Sequence, residues 1–473
     1  MIGRADLDER VREWGLTHRV VEKDYVLGWV LWGIGTEERL ASAWAFKGGT
    51  CLKKCYLETY RFSEDLDFTV LPDGPIAASE LRPIVESMLG RVSAESGIEF
   101  DVAALRLDTK TDGRYTEGRL HYRGPLGARL LGIIRLDISA CEEVVRPTEL
   151  RAISHSYPDT LPEPASVRCY SFVEVFAEKI RAMGERGRPR DLYDVVNLFR
   201  RDDLRGDPDE LRVVLADKCR TKGIEIPTFA TLAAGSTRVE LEAEWENMLA
   251  HQLPALPPFP SFWSDLEALF DWLSARAMPP RLEGFPMASV GGGGAMLPAA
   301  AWAPPATVTT WGLGVPLETV RFAAANHLCV RLHYQGTTRV IEPYSLRRTQ
   351  EGNLLLHGIR VDNREPRAYR VDRIQGVEVT TQSFTPIYRV EFSAVGAITA
   401  APASRPVRGP SLRPRSSGRS RTAHAGPIYV YECSCCSKRF RHSKMGGHLN
   451  AHKDRYGSRC SGRVGYLVDT EYH

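Results

Sequence analysis

The chain has 473 residues, 43% apolar and 26% charged, which are the proportions of a soluble globular protein and too great a length for one ordinary domain. Its net charge of +3 hides an asymmetry, because residues 401–473 carry fourteen Lys/Arg against four Asp/Glu while the preceding residues carry 48 against 55. No apolar run reaches the roughly 18 residues of a membrane span and the first residues lack a signal-peptide core, so no membrane partner and a cytoplasmic location are expected, with the basic tail expected to meet a polyanion.

Residues 19–32 place Val20, Tyr25, Leu27, Val30 and Leu31 near a 3.6-residue spacing, which predicts a helix packed on the core. The stretch from Phe46 to Val70 follows, with a Gly-Gly turn and then two aspartates one residue apart. Side chains of an extended segment alternate faces, so Asp65 and Asp67 share one side and Leu66 and Phe68 the other. Two convergent carboxylates suit magnesium, which takes oxygen ligands and usually binds through one or two carboxylates plus substrate phosphates. Gly48 and Gly49 reach backbone angles closed to other residues and leave room for a ligand. The run Thr50 to Tyr56 predicts a helix start whose free N–H groups face a phosphate.

Residues 128–139 predict a strand buried on at least one face. Its Asp137 is expensive to bury unless paired or bound to metal, which makes it a third candidate carboxylate, with a salt bridge to Arg135 or Arg129 as the alternative. Ser171 and Glu174 carry a capping-box signature, and Phe172, Phe176, Ile180 and Met183 trace one helical stripe with Lys179 off it. A second helix follows Pro189, with Asp191 and Asp194 on one face and Asp191 alternatively serving its own first turn.

Lys47-Gly-Gly-Thr50 before Arg61-Phe-Ser-Glu-Asp-Leu-Asp-Phe68, with Glu22-Lys23-Asp24-Tyr25, Glu178-Lys179 and Arg190-Asp191-Leu-Tyr-Asp194, resembles the AbiEii/AbiGii toxin branch of the nucleotidyltransferase superfamily across residues 1–275. The resemblance implies an α+β fold whose mixed sheet is flanked by helices, and a metal-dependent nucleotidyltransferase. It implies two magnesium ions on Asp65, Asp67 and Asp137, and a nucleoside triphosphate cradled by Gly48, Gly49 and Thr50. Lys47, Ser63 and Lys179 would neutralise phosphate oxygens, and Asp191 or Asp194 would close the site. The implied reaction moves a nucleotide from an NTP to a hydroxyl of an RNA, tRNA-like, or of a protein. The implied setting is the toxin of a toxin-antitoxin or phage-defence system, with a cognate antitoxin as partner. The alternative is a nucleic-acid-binding regulatory or sensor protein whose transferase domain is inactive or ligand-gated.

Residues 276–312 are rich in Gly, Pro and Ala and predict a flexible linker. Residues 313–395 read as a short helix, Leu317 to Asn326, then strands at Cys329–Tyr334, Arg339–Ile341, Asn353–Arg360 and Ala368–Val371. Arg339-Val-Ile-Glu-Pro-Tyr-Ser-Leu, Leu354-Leu-Leu-His-Gly and Tyr369-Arg-Val-Asp-Arg-Ile resemble a WYL domain, although Leu354-Leu355-Leu356 stands where its name motif belongs. That resemblance implies a small Sm-like β-barrel that binds nucleic acid or a nucleotide through Arg339, Arg370 and Arg373; pairing of these arginines with Glu342 and Asp372 is the alternative.

Residues 396–427 read as a disordered basic linker. In residues 428–473, Cys433 and Cys436 have the gap of a zinc knuckle, and His448 and His452 lie on one face of a predicted helix. Cys460 competes with His448 for the fourth place, and Phe440 and Met445 supply the small core. A zinc finger built from four of these five ligands is predicted, because a unit so small scarcely folds without metal. Lys438, Arg439, Arg441, Lys444 and Lys453 favour an RNA or DNA backbone, with protein docking the alternative. Cys435 reads as a free thiol, and Cys51, Cys55, Cys141, Cys169, Cys219 and Cys329 as separate buried small hydrophobes.

Overall fold

The computed structural model describes residues 1–57, 61–234, 236–279, 282–286, 317–348, 354–391, 428–433, 435–436, 438–442, 448–453, 459–462 and 464–471. The chain divides into two units, Met1–Ser404 and Arg405–His473.

The first unit opens with α1 (Arg4–Trp14) and α2 (His18–Thr36), the latter buried almost throughout from Val21 to Ile34, as its apolar spacing predicts. After α3 (Glu38–Ala43) and β1 (Trp44–Lys47), the Gly-Gly turn leads into α4 (Gly48–Cys51), which runs on as a π-helical turn at Leu52–Tyr56. Then come β2 (Asp65–Val70), α5 (Ala78–Ser96), β3 (Glu99–Phe100), β4 (Arg106–Thr109), β5 (Tyr115–Arg123), β6 (Gly132–Ser139), β7 (Glu149–Ala152) and β8 (Ser166–Cys169). The predicted strand over 128–139 therefore begins four residues late, at Gly132.

These strands form one mixed sheet in the order β3-β5-β6-β2-β1-β8-β7, with β4 on β5. Two of its pairings are parallel, β2 with β6 and β1 with β8, and the others antiparallel. Six helices follow: α6 (Phe172–Arg186), α7 (Pro189–Phe199), α8 (Pro208–Lys222), α9 (Phe229–Ala233), α10 (Thr237–Leu249) and α11 (Phe259–Leu273). The Ser171 side chain caps α6 by accepting from the Glu174 N–H, and left-handed Gly187 ends it. Pro189 then starts α7 where a missing N–H costs nothing.

The predicted second domain is α12 (Leu317–Ala325) with a five-stranded antiparallel sheet of β9 (Leu328–Tyr334), β10 (Thr337–Arg348), β11 (Leu354–Arg360), β12 (Pro366–Arg370) and β13 (Ile374–Ser383), ordered β12-β11-β10-β9-β13. It is bound to the first domain by hydrogen bonds from the Thr319 hydroxyl to the Glu13 carbonyl and from the Tyr193 hydroxyl to Asn326 Oδ1, the latter 2.8 Å. Within residues 282–286 of the expected flexible linker, Glu283 and Gly284 are exposed but Phe285 is packed rather than free. Phe285 is 3% exposed against the rings of Tyr344, His357 and Tyr388, and its carbonyl accepts from Arg347. Residues 276–279 of that linker are described without helix or strand, while 280–281, 287–312 and 396–427 lie outside the described residues.

The second unit is a three-stranded sheet of β14 (Ile428–Cys433), β15 (Arg439–His442) and β16 (Gly465–Glu471), with β14 central. No helix among the described residues is long and apolar enough to cross a membrane.

Candidate functional site

The acidic face begins in β2, where Leu66 and Phe68 are fully buried and the alternating Asp65 and Asp67 stand on the opposite side, partly exposed. Parallel pairing with β6 sets Asp137 directly beside Asp67. Tyr115 of β5 donates to Asp137 Oδ1 at 2.7 Å. The salt bridge to Arg135 or Arg129 is not what Asp137 makes; Arg135 instead lies opposite Asp65 in the register and eases its charge.

The glycine turn closes over these acids. Gly48 has φ +79°, and a Cβ there would stand 2.2 Å from Asp67 Oδ2, so only glycine fits. A Cβ on Gly49 would stand 2.7 Å from an Arg61 nitrogen and 3.1 Å from Ser63 Oγ, which places both residues against the turn. The Thr50 hydroxyl donates to the Asp65 carbonyl at 2.6 Å and so ties α4 to β2.

Burial pushes the Asp67 carboxyl up to about 6; Lys47 and Lys179 work against this, while Asp137 and Asp65 add to it. Asp65 is raised for the same first reason, against Lys23 and Arg135. The oxygens of Asp65, Asp67 and Asp137 do not all gather within 4.8 Å of one another. Hard oxygen donors, surplus negative charge and a side-chain-free turn fit magnesium bound with phosphates.

The expected phosphate-binding lysines have protein partners. Lys47 is buried and pairs with Glu142, with Glu178 Oε1 at 4.0 Å. Burial opposes its charge, but Glu178, Glu142 and Asp67 hold its pKa above the ordinary lysine value. Lys179 donates to Asp194 Oδ2 at 2.7 Å. Asp194 is fully buried and also accepts both arms of the Arg61 guanidinium at 2.7 and 2.8 Å, so its oxygens are spent on cations and it does not join the acidic face. Asp191 is held separately, its carboxylate accepting from Arg186 at 2.8 and 2.9 Å. The shared helix face predicted for the two acids thus splits between two arginines.

Several residues here were given no role by sequence reasoning. Arg61 stood in the motif and Glu178 beside Lys179, so both carried a signal; Tyr115 and Glu142 carried none. Within Glu22-Lys23-Asp24-Tyr25, Lys23 reaches Glu64 beside Asp65 at 2.8 Å, while Asp24 pairs with buried Lys54 at 2.8 Å and Tyr25 donates to Asp159. In the second domain Arg370 pairs with Asp372 at 2.7 Å, and Glu342 is taken by Arg364. Arg373 also stands close enough to Asp372 to help lower its carboxyl pKa, after Arg370.

In the C-terminal unit, Cys433, Cys436, His452 and Cys460 bring their ligand atoms within 4.8 Å of one another. Cys436 Sγ lies 3.3 Å from His452 Nε2, and Cys433 Sγ lies 3.8 Å from Cys460 Sγ. His452 Nδ1 is 2.9 Å from the Asn450 carbonyl, which can only accept, so Nε2 presents its lone pair to the cluster. A Cβ on Gly462 would stand 2.5 Å from Cys433 Sγ. Three sulfurs and one imidazole are a tetrahedral zinc set. His448 is exposed and bridges to Val464, outside the cluster, and the helix predicted to align it with His452 is absent over 448–453. Cys460 is thus the fourth partner. Phe440 packs against buried Tyr431 and Leu449, Cys435 is exposed, and Met445 and Lys444 lie outside the described residues.

Known proteins bear on this arrangement. The family described as nucleotidyl transferase AbiEii toxin, type IV TA system, matches residues 30–272, and the WYL domain family matches residues 316–379. Among solved structures, the chain is similar to MenT4, nucleotidyltransferase toxin Rv2826c from Mycobacterium tuberculosis H37Rv, at 19% identity over 58% of this chain and 90% of that chain, with a TM-score of 0.42. No curated protein matches the chain.

Proposed function

The chain belongs to the AbiEii nucleotidyltransferase toxin family, and from that premise we propose that it transfers a nucleotide from a nucleoside triphosphate to a hydroxyl of an RNA or protein, with magnesium, on the face formed by Asp65, Asp67 and Asp137. The observation that carries this reading is the in-register pairing of Asp67 with Asp137 under a turn that only Gly48 can make. Magnesium bound there would supply charge neutralisation for the phosphates and acidify the acceptor hydroxyl. The protein's own share is positioning and charge, as phosphoryl chemistry demands. Gly48 and Gly49 admit the triphosphate, with Ser63 at the turn as a donor. Tyr115 orients Asp137. Lys47 and Lys179, held by Glu142 and Asp194, offset the acids' charge. Arg61 and Asp194 fasten the strand that carries the acids to α7, a positioning role; Asp191 supports α7 through Arg186 in the same way.

In the C-terminal unit, Cys433, Cys436, His452 and Cys460 hold zinc, and the basic residues around them meet an RNA or DNA backbone. The WYL domain contacts nucleic acid through its own Arg339 and Arg373. A cognate antitoxin and a cytoplasmic setting complete the proposal.

Labelled triphosphates incubated with total cellular RNA and protein test the catalytic reading. Wild type should label one acceptor class, and Asp67→Ala should lower labelling at least about a thousandfold. Equal labelling by the two proteins would sink it.

A further inference from the structure

Three cysteines that stand apart in the sequence meet inside the first unit. Cys51 ends α4, Cys55 lies in the π-helical turn that follows, and Cys169 ends β8, where it pairs with Phe46 of β1. Their sulfurs lie within 4.8 Å of one another. The residues are 0%, 5% and 0% exposed. Turns of this π type are rare and recur at functional positions. Arg151 stands beside the trio, its guanidinium 4.5 Å from the Tyr56 ring centre and 3.4 Å from the Cys55 carbonyl.

We propose that Cys51, Cys55 and Cys169 form a binding site for one thiophilic d10 metal ion, zinc or monovalent copper, separate from both the acidic face and the Cys433 cluster. Thiolates are soft ligands that select these ions. Burying bare thiolates is prohibitive, but a bound cation offsets their charge, and Arg151, which also pairs with Glu149 at 3.6 Å, stands beside them. Three sulfurs are one short of a closed zinc site and complete a trigonal one, which is why copper stands beside zinc as the occupant. Each ion bound releases up to three thiol protons to solvent, so affinity rises with pH. Because Cys51 directly follows Gly48-Gly49-Thr50 and Cys169 borders β1, the ion would clamp the helix after the glycine turn to the sheet.

The test uses full-length protein stripped of metal under reducing conditions and titrated with Zn2+, with Cd2+ as a charge-transfer probe of thiolate ligation, and with Cu+ against a competing chelator. The wild-type chain should bind two thiolate-held ions. Cys433→Ser/Cys436→Ser/Cys460→Ser, which leaves the trio untouched, should bind one, with three sulfurs per cadmium and a raised Tm of the first unit. Adding Cys51→Ala should abolish that remaining ion. If the triple variant is folded by circular dichroism and holds none of the three ions, the trio is ordinary packing and the proposal is wrong. Retention of Zn2+ or of Cu+ under chelator competition identifies the occupant.

Discussion

Burial raises the Asp67 carboxyl to about 6, which makes the charge of the acidic face measurable. A carboxylate whose folded pKa is raised binds its proton more tightly folded than unfolded. Its contribution to stability is therefore complete below the unfolded value and is lost as pH rises from about 4 through about 6. Magnesium demands the opposite form. The Tm gain on adding magnesium should be largest above about pH 6, fade below it, and vanish in Asp67→Asn; a gain independent of pH, or one that survives the substitution, would count against metal at this carboxylate. Asp65 and Asp67 were legible because strand alternation is a local rule. The role of Tyr115 was not, because nothing near it in sequence distinguishes it from any strand tyrosine; β5 delivers it to Asp137 only through the sheet.

Between elements, the two features that hold the turn in place make separate predictions. Arg61 joins the loop before β2 to α7 through a bidentate contact to Asp194, whose side chain is wholly buried. Arg61→Ala leaves that carboxylate paired with Lys179 but strips its charge-assisted hydrogen bonds to the guanidinium, which costs about 1.5 to 3 kcal/mol. Urea unfolding should show a loss of that size; a loss below about 1 kcal/mol would mean that the pair does not hold the elements together. Gly48→Ala should behave differently. The added Cβ would overlap the Asp67 carboxylate and strain a left-handed backbone, so nucleotide transfer should fall more than about tenfold while the protein remains folded. A Gly48→Ala enzyme with wild-type rate would remove the turn from the site.

For the whole molecule, the divided charge of the chain matches its two units, with an acidic transferase and WYL body and a basic C-terminal unit. The choice between Cys460 and His448 is the sharpest prediction about the second unit. Cys460→Ser should lose the zinc of this unit, measured by metal content after dialysis against a mild chelator, whereas His448→Ala should keep it. The reverse result would reinstate the Cys-Cys-His-His set that the spacing alone left open. In the first unit, the Tyr193 to Asn326 bond ties the WYL domain to α7, the helix that also carries Asp194.

Features governed by neighbouring residues are determined by the amino-acid sequence alone: the buried α2, the alternation in β2, the glycine turn, the Ser171 cap, and α12 and β9 of the WYL domain, whereas β10 runs far beyond the expected Arg339–Ile341 and β13 was not expected. Each of the former follows from periodicity or from backbone angles within a few positions. The pairing of Asp67 with Asp137, the capture of Asp194 by Arg61 and Lys179, the choice of Cys460 over His448 and the meeting of Cys51, Cys55 and Cys169 are decided only by the tertiary fold. Strand order and helix packing bring together residues tens to hundreds of positions apart, and their energies depend on burial and charge around each group, which no local pattern encodes.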